Sequence, residues 1–306
     1  MALLTVKGLT KSFESTQAVN SIGFTIHEGR CVALLGPNGA GKTTAIRMLT
    51  GLIAPTSGDI EFHGIGPGAD RRSLIGFLPQ VPAFYNWMTG REFLIYAGRL
   101  CGLSAKEAQT RSSELLERVG IASAAKRRIA GYSGGMKQRL GLAQALIHRP
   151  KLLILDEPVS ALDPIGRREV MELLRSLKLE TTVLFSTHVL HDAEELCDDV
   201  LIMRAGRIAV GGSIQDIRSE HRQPILSLEI EQDEHSRKWL QNWLKTPPAY
   251  VKTYSALSGG VRLVVDDVNA ARRNLLAELV ESDVRMTKLE IGHTTLEDLF
   301  MKAVTE

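Results

Sequence analysis

Residues 36–44 read GPNGAGKTT, and how they are read decides the fold. They fit G-x-x-x-x-G-K-[ST] between an apolar run, CVALLG at 31–36, and a helix expected from Lys42 to about Leu52. In that setting Gly36, Gly39 and Gly41 let backbone N–H groups converge on phosphate oxygens, Lys42 reaches the outer phosphates, and Thr43 can ligate Mg²⁺. Asn38 and Thr44 lie in the same loop and are nucleotide-binding candidates with it. The bare pattern arises by chance in roughly one chain in a hundred of this length, so a plain glycine turn is the weaker reading.

A second apolar run, LLILDE at 152–157, delivers two acids together where an open α/β sheet binds ligands, at the carboxyl end of a strand. Neighbouring side chains on an extended chain point in different directions. Asp156 can therefore face a metal's coordination shell while Glu157 faces the γ-phosphate and a water, as general base or as the residue that orients the water. His188, after the run TVLFST, can donate a hydrogen bond to the same phosphate, although a lone histidine is more often structural. Residues 131–147, GYSGGMKQRLGLAQALI, place Ser133, Gly134 and Gly135 at the start of a basic helix. That is a second anion site, and the first loop already accounts for the chain's own phosphates.

The 306 residues, 44% hydrophobic and 24% charged, indicate a globular chain of two domains. Thirty-seven basic and 35 acidic residues leave a net charge of +2, too balanced to argue for nucleic acid, and no nucleic-acid partner is expected. Three cysteines without metal or redox spacing fit a reducing cytosol. No leader opens the chain and no run approaches the ~18 apolar residues of a membrane span, so a membrane role would put the span in another chain.

Alternation of strands and helices after the phosphate loop indicates a largely parallel sheet with helices on its faces. The opening LLTVKGL and VNSIGFTIHEG read as short strands. Residues 89–119 read as helical with a break near Gly102 and an N-cap at Ser104. The pattern loosens in RAGRIAVGGSIQDIRSEHRQ, and the domain boundary is placed at 218–223. Beyond it the segments run strand, helix, strand, strand, helix, strand, the order of a ferredoxin-like sandwich, and TTLEDLFMKAV follows as a capped helix. Trp239, Leu240 and Trp243 most simply make a core helix there; the sharper alternative is that this domain packs against its copy or senses a ligand.

In motif order, residues 3–217 resemble the ATP-binding cassette (ABC) ATPases. The resemblance implies a P-loop NTPase fold of the ABC type, a mainly parallel sheet with a helical subdomain at about 84–150 and an antiparallel β subdomain. Domains of 1–220 and 221–306 follow, the second a small α+β accessory domain. GPNGAGKTT is then Walker A, LLILDE is Walker B with Glu157 catalytic, and His188 is the switch histidine. Gln80, in GFLPQ, matches the glutamine that contacts Mg²⁺ or the attacking water. SALD at 160–163 matches the D-loop and brings in Asp163. Phe13 sits where the family stacks a ring on adenine, although alone it would be read as core. YSGGMKQ matches the signature, with Tyr132 and Met136 replacing the commoner leucine and glutamine, and the signature binds the γ-phosphate held by a second copy.

The resemblance thus implies an ATP hydrolase using ATP and Mg²⁺, paired head to tail with itself and energising a separately encoded membrane permease. It would be cytoplasmic and peripheral on the inner face of the cell membrane. FYNWMTGREFLIYAGRLCGL and the closing TTLEDLFMKAV look like the subgroup serving six-span exporter-type permeases, with an importer subunit the nearest rival. A soluble or regulatory ABC ATPase not coupled to transport is the alternative, because such motifs do not say what the energy moves.

Overall fold

The computed structural model describes residues 1–65, 70–160, 162–220 and 223–305, in two compact units, the first Met1–Ile214 with residues 303–305 and the second Gln215–Lys302. In the first unit β1 (Ala2–Phe13), β2 (Thr16–His27) and β4 (Ser57–Phe62) form an antiparallel sheet in the order β2-β1-β4. The first two strands are twelve residues each, not short. A register shift between Val6 and Leu9 lets the ladder continue past Lys7-Gly8, where the apolar alternation breaks.

The second sheet runs β5 (Ile75–Leu78), β6 (Leu152–Asp156), β7 (Thr182–Thr187), β3 (Cys31–Leu35), β8 (Asp199–Arg204), β9 (Arg207–Ser213). Its first five strands are parallel and β9 is antiparallel to β8. Every residue of β3, β6 and β7 is buried, as strands covered on both faces require. This order sets β7 between the strand that feeds the phosphate loop and the strand that ends in the acid pair.

Helix α1 (Lys42–Leu49) stops three residues short of the expected end, where Thr50 turns its hydroxyl back to the Ile46 carbonyl. Capping boxes at Thr89/Glu92 and Ser104/Glu107 start α2 (Gly90–Leu100) and α3 (Ala105–Arg118), which places the break where Gly102 stands. Helix α4 (Gly134–Leu146) is capped by Ser133, and α5 (Pro164–Leu177) by Asp163 with proline at its first position. Helix α6 (Leu190–Leu196) follows β7. The segment expected to loosen is ordered: a β8–β9 hairpin and then α7 (Ile214–Glu220). Of the boundary placed at 218–223, residues 221 and 222 lie outside the described residues; the two units part at 214/215.

The second unit orders its strands β11-β12-β10-β13, all antiparallel: β10 (Pro224–Ile230), β11 (Val251–Leu257), β12 (Gly260–Val265) and β13 (Met286–His293). Helices α8 (Glu234–Lys245) and α9 (Val268–Glu281) pack on the face that carries Leu226, Leu228, Val261 and Leu263, and Trp239, Leu240 and Trp243 join that core. Trp243 Nε1 donates to Glu278 Oε2 at 2.6 Å, so the helix pair is pinned by a polar contact as well as by area. Helix α10 (Leu296–Thr305) opens on reciprocal Thr295 and Asp298 hydrogen bonds.

Candidate functional site

The phosphate loop leaves β3 through backbone that admits only glycine at two points. A Cβ on Gly36 would stand 2.4 Å from the Met203 carbonyl oxygen, and one on Gly41 (φ 102°) 2.4 Å from that of Ala18. Lys42, 5% exposed, donates from Nζ to the carbonyls of Gly36 (2.7 Å) and Pro37 (3.2 Å) and stands 3.8 Å from Glu157 Oε1. Burial pulls its pKa below the usual lysine value, against the opposing pull of Glu157 and Asp156. Asn38 and Gly39 are exposed at the loop's tip, and Thr43 and Thr44 lie half-buried in the first turn of α1.

Asp156 is buried and accepts from Ser186 Oγ (2.6 Å) and from Thr43 Oγ1 (3.3 Å). These are hard oxygens suited to Mg²⁺, which takes one or two protein ligands and completes its shell with phosphate and water. Such a site needs no cluster of three acids or histidines, and the described residues contain none. Glu157 sits at φ 48°, unusual for a residue with a side chain. That turn re-aims it: Oε1 faces Lys42, and Oε2 lies 3.2 Å from His188 Nδ1. The Glu157 amide donates to Ser186 Oγ (2.9 Å), and its carbonyl accepts from Ser160 N and Oγ (3.3 and 3.1 Å). Gln80 is exposed, two residues past Leu78, which ends β5 and pairs with Leu155 of the strand that leads to Glu157.

Ser133, Gly134 and Gly135 gather elsewhere. With Arg139, Asp163 and Glu169 they line a cavity of about 540 Å³ to which no residue of the phosphate loop contributes. Ser133 Oγ accepts from the Met136 amide (3.3 Å), and Asp163 caps α5 through Gly166 N (2.7 Å). Asp163 therefore stands with the serine half and not with Lys42. Ala161 of the SALD segment lies outside the described residues. Phe13 closes β1 with 47% of its surface exposed and Lys11 Nζ 5.1 Å from its ring centroid, which excludes the core reading.

Tyr132 explains its own departure from leucine. It is buried, donates from its hydroxyl to the Ala124 carbonyl (2.8 Å), and has the Arg127 guanidinium 5.4 Å from its ring. Gly90 makes the room, since a Cβ there would lie 2.2 Å from the tyrosine hydroxyl. Gly90→Ala is therefore expected to cost about 1–3 kcal/mol in denaturant unfolding. Tyr132→Leu in the same chain should recover part of that loss; a neutral Gly90→Ala would contradict this packing.

Two residues escaped sequence reasoning. Ser186 holds Asp156 and the Glu157 amide at once, and its only signal is a hydroxyl inside the buried run TVLFST. Gln138, on the buried side of α4, donates to the Pro158 carbonyl. No helix among the described residues is long and apolar enough to cross a membrane.

Comparison with known proteins follows the same division of the chain. The family described as "ABC transporter" matches residues 19–160, and "ATP-binding protein DrrA1-3-like, C-terminal domain" matches 212–304. The uncharacterised ABC transporter ATP-binding protein YxlF of Bacillus subtilis is 49% identical over 99% of both chains. The Nod factor export ATP-binding protein I of Rhizobium johnstonii is 42% identical over 72% of this chain and 73% of its own. Among solved structures, the dimeric post-hydrolysis state of the ATP-binding cassette MJ0796, bound to ADP and Pi, has 25% identity and a TM-score of 0.63, covering 69% of this chain and 98% of that one.

Proposed function

The chain belongs to the family of ABC transporter ATP-binding proteins, and from that premise we propose that two copies close head to tail on two ATP molecules to drive an exporter-type permease. It is the ATP-binding and ATP-hydrolysing subunit that energises transport. It works from the inner face of the cell membrane, held there by a separately encoded permease.

One observation carries the paired arrangement. The chain owns both halves of a phosphate site, yet the serine half lines its own cavity and contributes nothing to the loop that holds Lys42. The missing phosphate for Ser133, Gly134 and Gly135 is supplied by a second copy, whose own serine half closes on the first. That a related cassette bound to ADP and Pi is a dimer supports pairing, and the export relative supports the direction of transport.

Within each composite site the roles divide by chemistry. Backbone amides of the loop and Lys42 hold the outer phosphates, and Phe13 stacks on the adenine from its exposed position. Thr43, Asp156 and Gln80 would hold Mg²⁺, which neutralises charge on the transferred phosphoryl group. Glu157 orients the attacking water and takes its proton, and His188 steadies both the carboxylate and the γ-phosphate. Asp163, capping α5 beside Ser133, belongs to the half that reaches across. Lysine, acid pair and histidine are present in every chain, so both sites of the dimer turn over.

Hydrolysis by the isolated chain therefore depends on pairing. The rate per chain should rise with protein concentration and level off once ATP holds all copies in dimers. A rate per chain that stays constant across that range, with the protein a monomer throughout, would overturn the composite site.

A further inference from the structure

Gln138 lies five residues into α4 from its cap, about 7 Å along the helix axis from Ser133. It is 6% exposed and donates from Nε2 to the Pro158 carbonyl at 2.9 Å. Pro158 directly follows Glu157 and has no N–H of its own, so its carbonyl is the one backbone group by which it can be held. The turn it belongs to is unusual. Glu157 has positive φ, its amide is held by Ser186 from β7, and its carbonyl by Ser160. Gln138 supplies the tie to α4, the helix whose N-terminus carries the serine half-site.

We propose that Gln138 is a positioning residue for ATP hydrolysis, carrying the seating of phosphate against Ser133 through α4 to the turn that aims Glu157. A helix of thirteen residues moves as a rod, and a short buried hydrogen bond transmits that movement where a longer solvated contact would absorb it. The Glu157 carboxylate sits between Lys42 and His188, where a small displacement changes which of them it faces. The inference rests on the roles proposed above for Glu157 and Ser133.

Gln138→Met keeps the length of the side chain and removes the donor. If Gln138 only satisfies a buried carbonyl, the variant loses stability while kcat per folded chain stays unchanged. If it positions Glu157, kcat falls by at least about 10-fold while KM for ATP stays within about 2-fold, since misplacing a reacting group by about an ångström costs up to 10²-fold. Gln138→Leu also removes the donor without adding a charge, and gives the same reading if the methionine chain fails to fold. The decisive comparison is in a Glu157→Gln background, measured as single turnovers. A residue acting through Glu157 adds no further loss there. An equal loss in both backgrounds, or a kcat within 2-fold of the parent in an otherwise wild-type chain, would sink the relay and leave the role of Glu157 intact. Rapid hydrolysis by Glu157→Gln alone would remove that role and this inference together.

Discussion

Replacing Glu157 by glutamine is expected to lower kcat for ATP hydrolysis by at least about 100-fold, the scale of a lost general base, while ATP binding is kept or tightened. The substitution is nearly isosteric and leaves a polar partner for His188, so the turn at φ 48° has no reason to relax. What changes is charge. Lys42 loses the carboxylate 3.8 Å away and is freer to turn to a phosphate, which favours bound nucleotide. Bound ATP that cannot be hydrolysed should hold the closed pair, so light scattering of this variant should move from one chain to two on adding Mg-ATP. Fast hydrolysis would remove Glu157 from its assigned role. A dimer with and without nucleotide would instead point to the second unit as a permanent clamp between copies.

The parallel core was legible because strands buried on both faces must be continuous apolar runs, and CVALL, LLILD and TVLFST are such runs. The antiparallel parts were harder. β4 is mostly exposed and carries few apolar residues, and the Gly211-Gly212 pair interrupts the alternation of β9, so neither gave a clear period. From sequence β1 and β2 look shorter than they are, because a bulge shifts the phase of alternation without ending the strand.

The site divides in the same way. The phosphate loop, Asp156, Glu157 and the serine half are each contiguous in sequence, and a local motif states its own chemistry. Ser186 and Gln138 are different. Each acts on a residue 20 to 30 positions away, across a strand pair or from helix to turn; no motif surrounds Ser186, and Gln138 closes YSGGMKQ, a motif that does not state its reach to Pro158. Asp163 shows the converse limit: its motif placed it among the nucleotide residues, while only coordinates reveal that it stands beside Ser133.

That position beside Ser133 makes the second large effect testable without disturbing the fold. Aspartate caps helices about as well as serine and suits the positive end of the helix dipole, so Ser133→Asp should keep the Met136 amide satisfied and leave the melting temperature within about 2 °C. Each monomer should also bind ATP as before, because no residue of its phosphate loop lines the serine cavity. Pairing is another matter. A carboxylate brought against a γ-phosphate in a closing interface costs several kcal/mol, and a head-to-tail dimer meets that cost at both sites. In the Glu157→Gln background the ATP-induced dimer should therefore weaken by at least about 100-fold, equivalent to roughly 2.7 kcal/mol, in sedimentation or light scattering. If the dimer survives with its affinity unchanged, Ser133 does not face the partner's phosphate, and the two halves must be completed in some other way than by a second copy. If instead ATP binding by the monomer is lost, the serine half serves the chain's own nucleotide, and the separation of the two halves seen here would have to close within one chain.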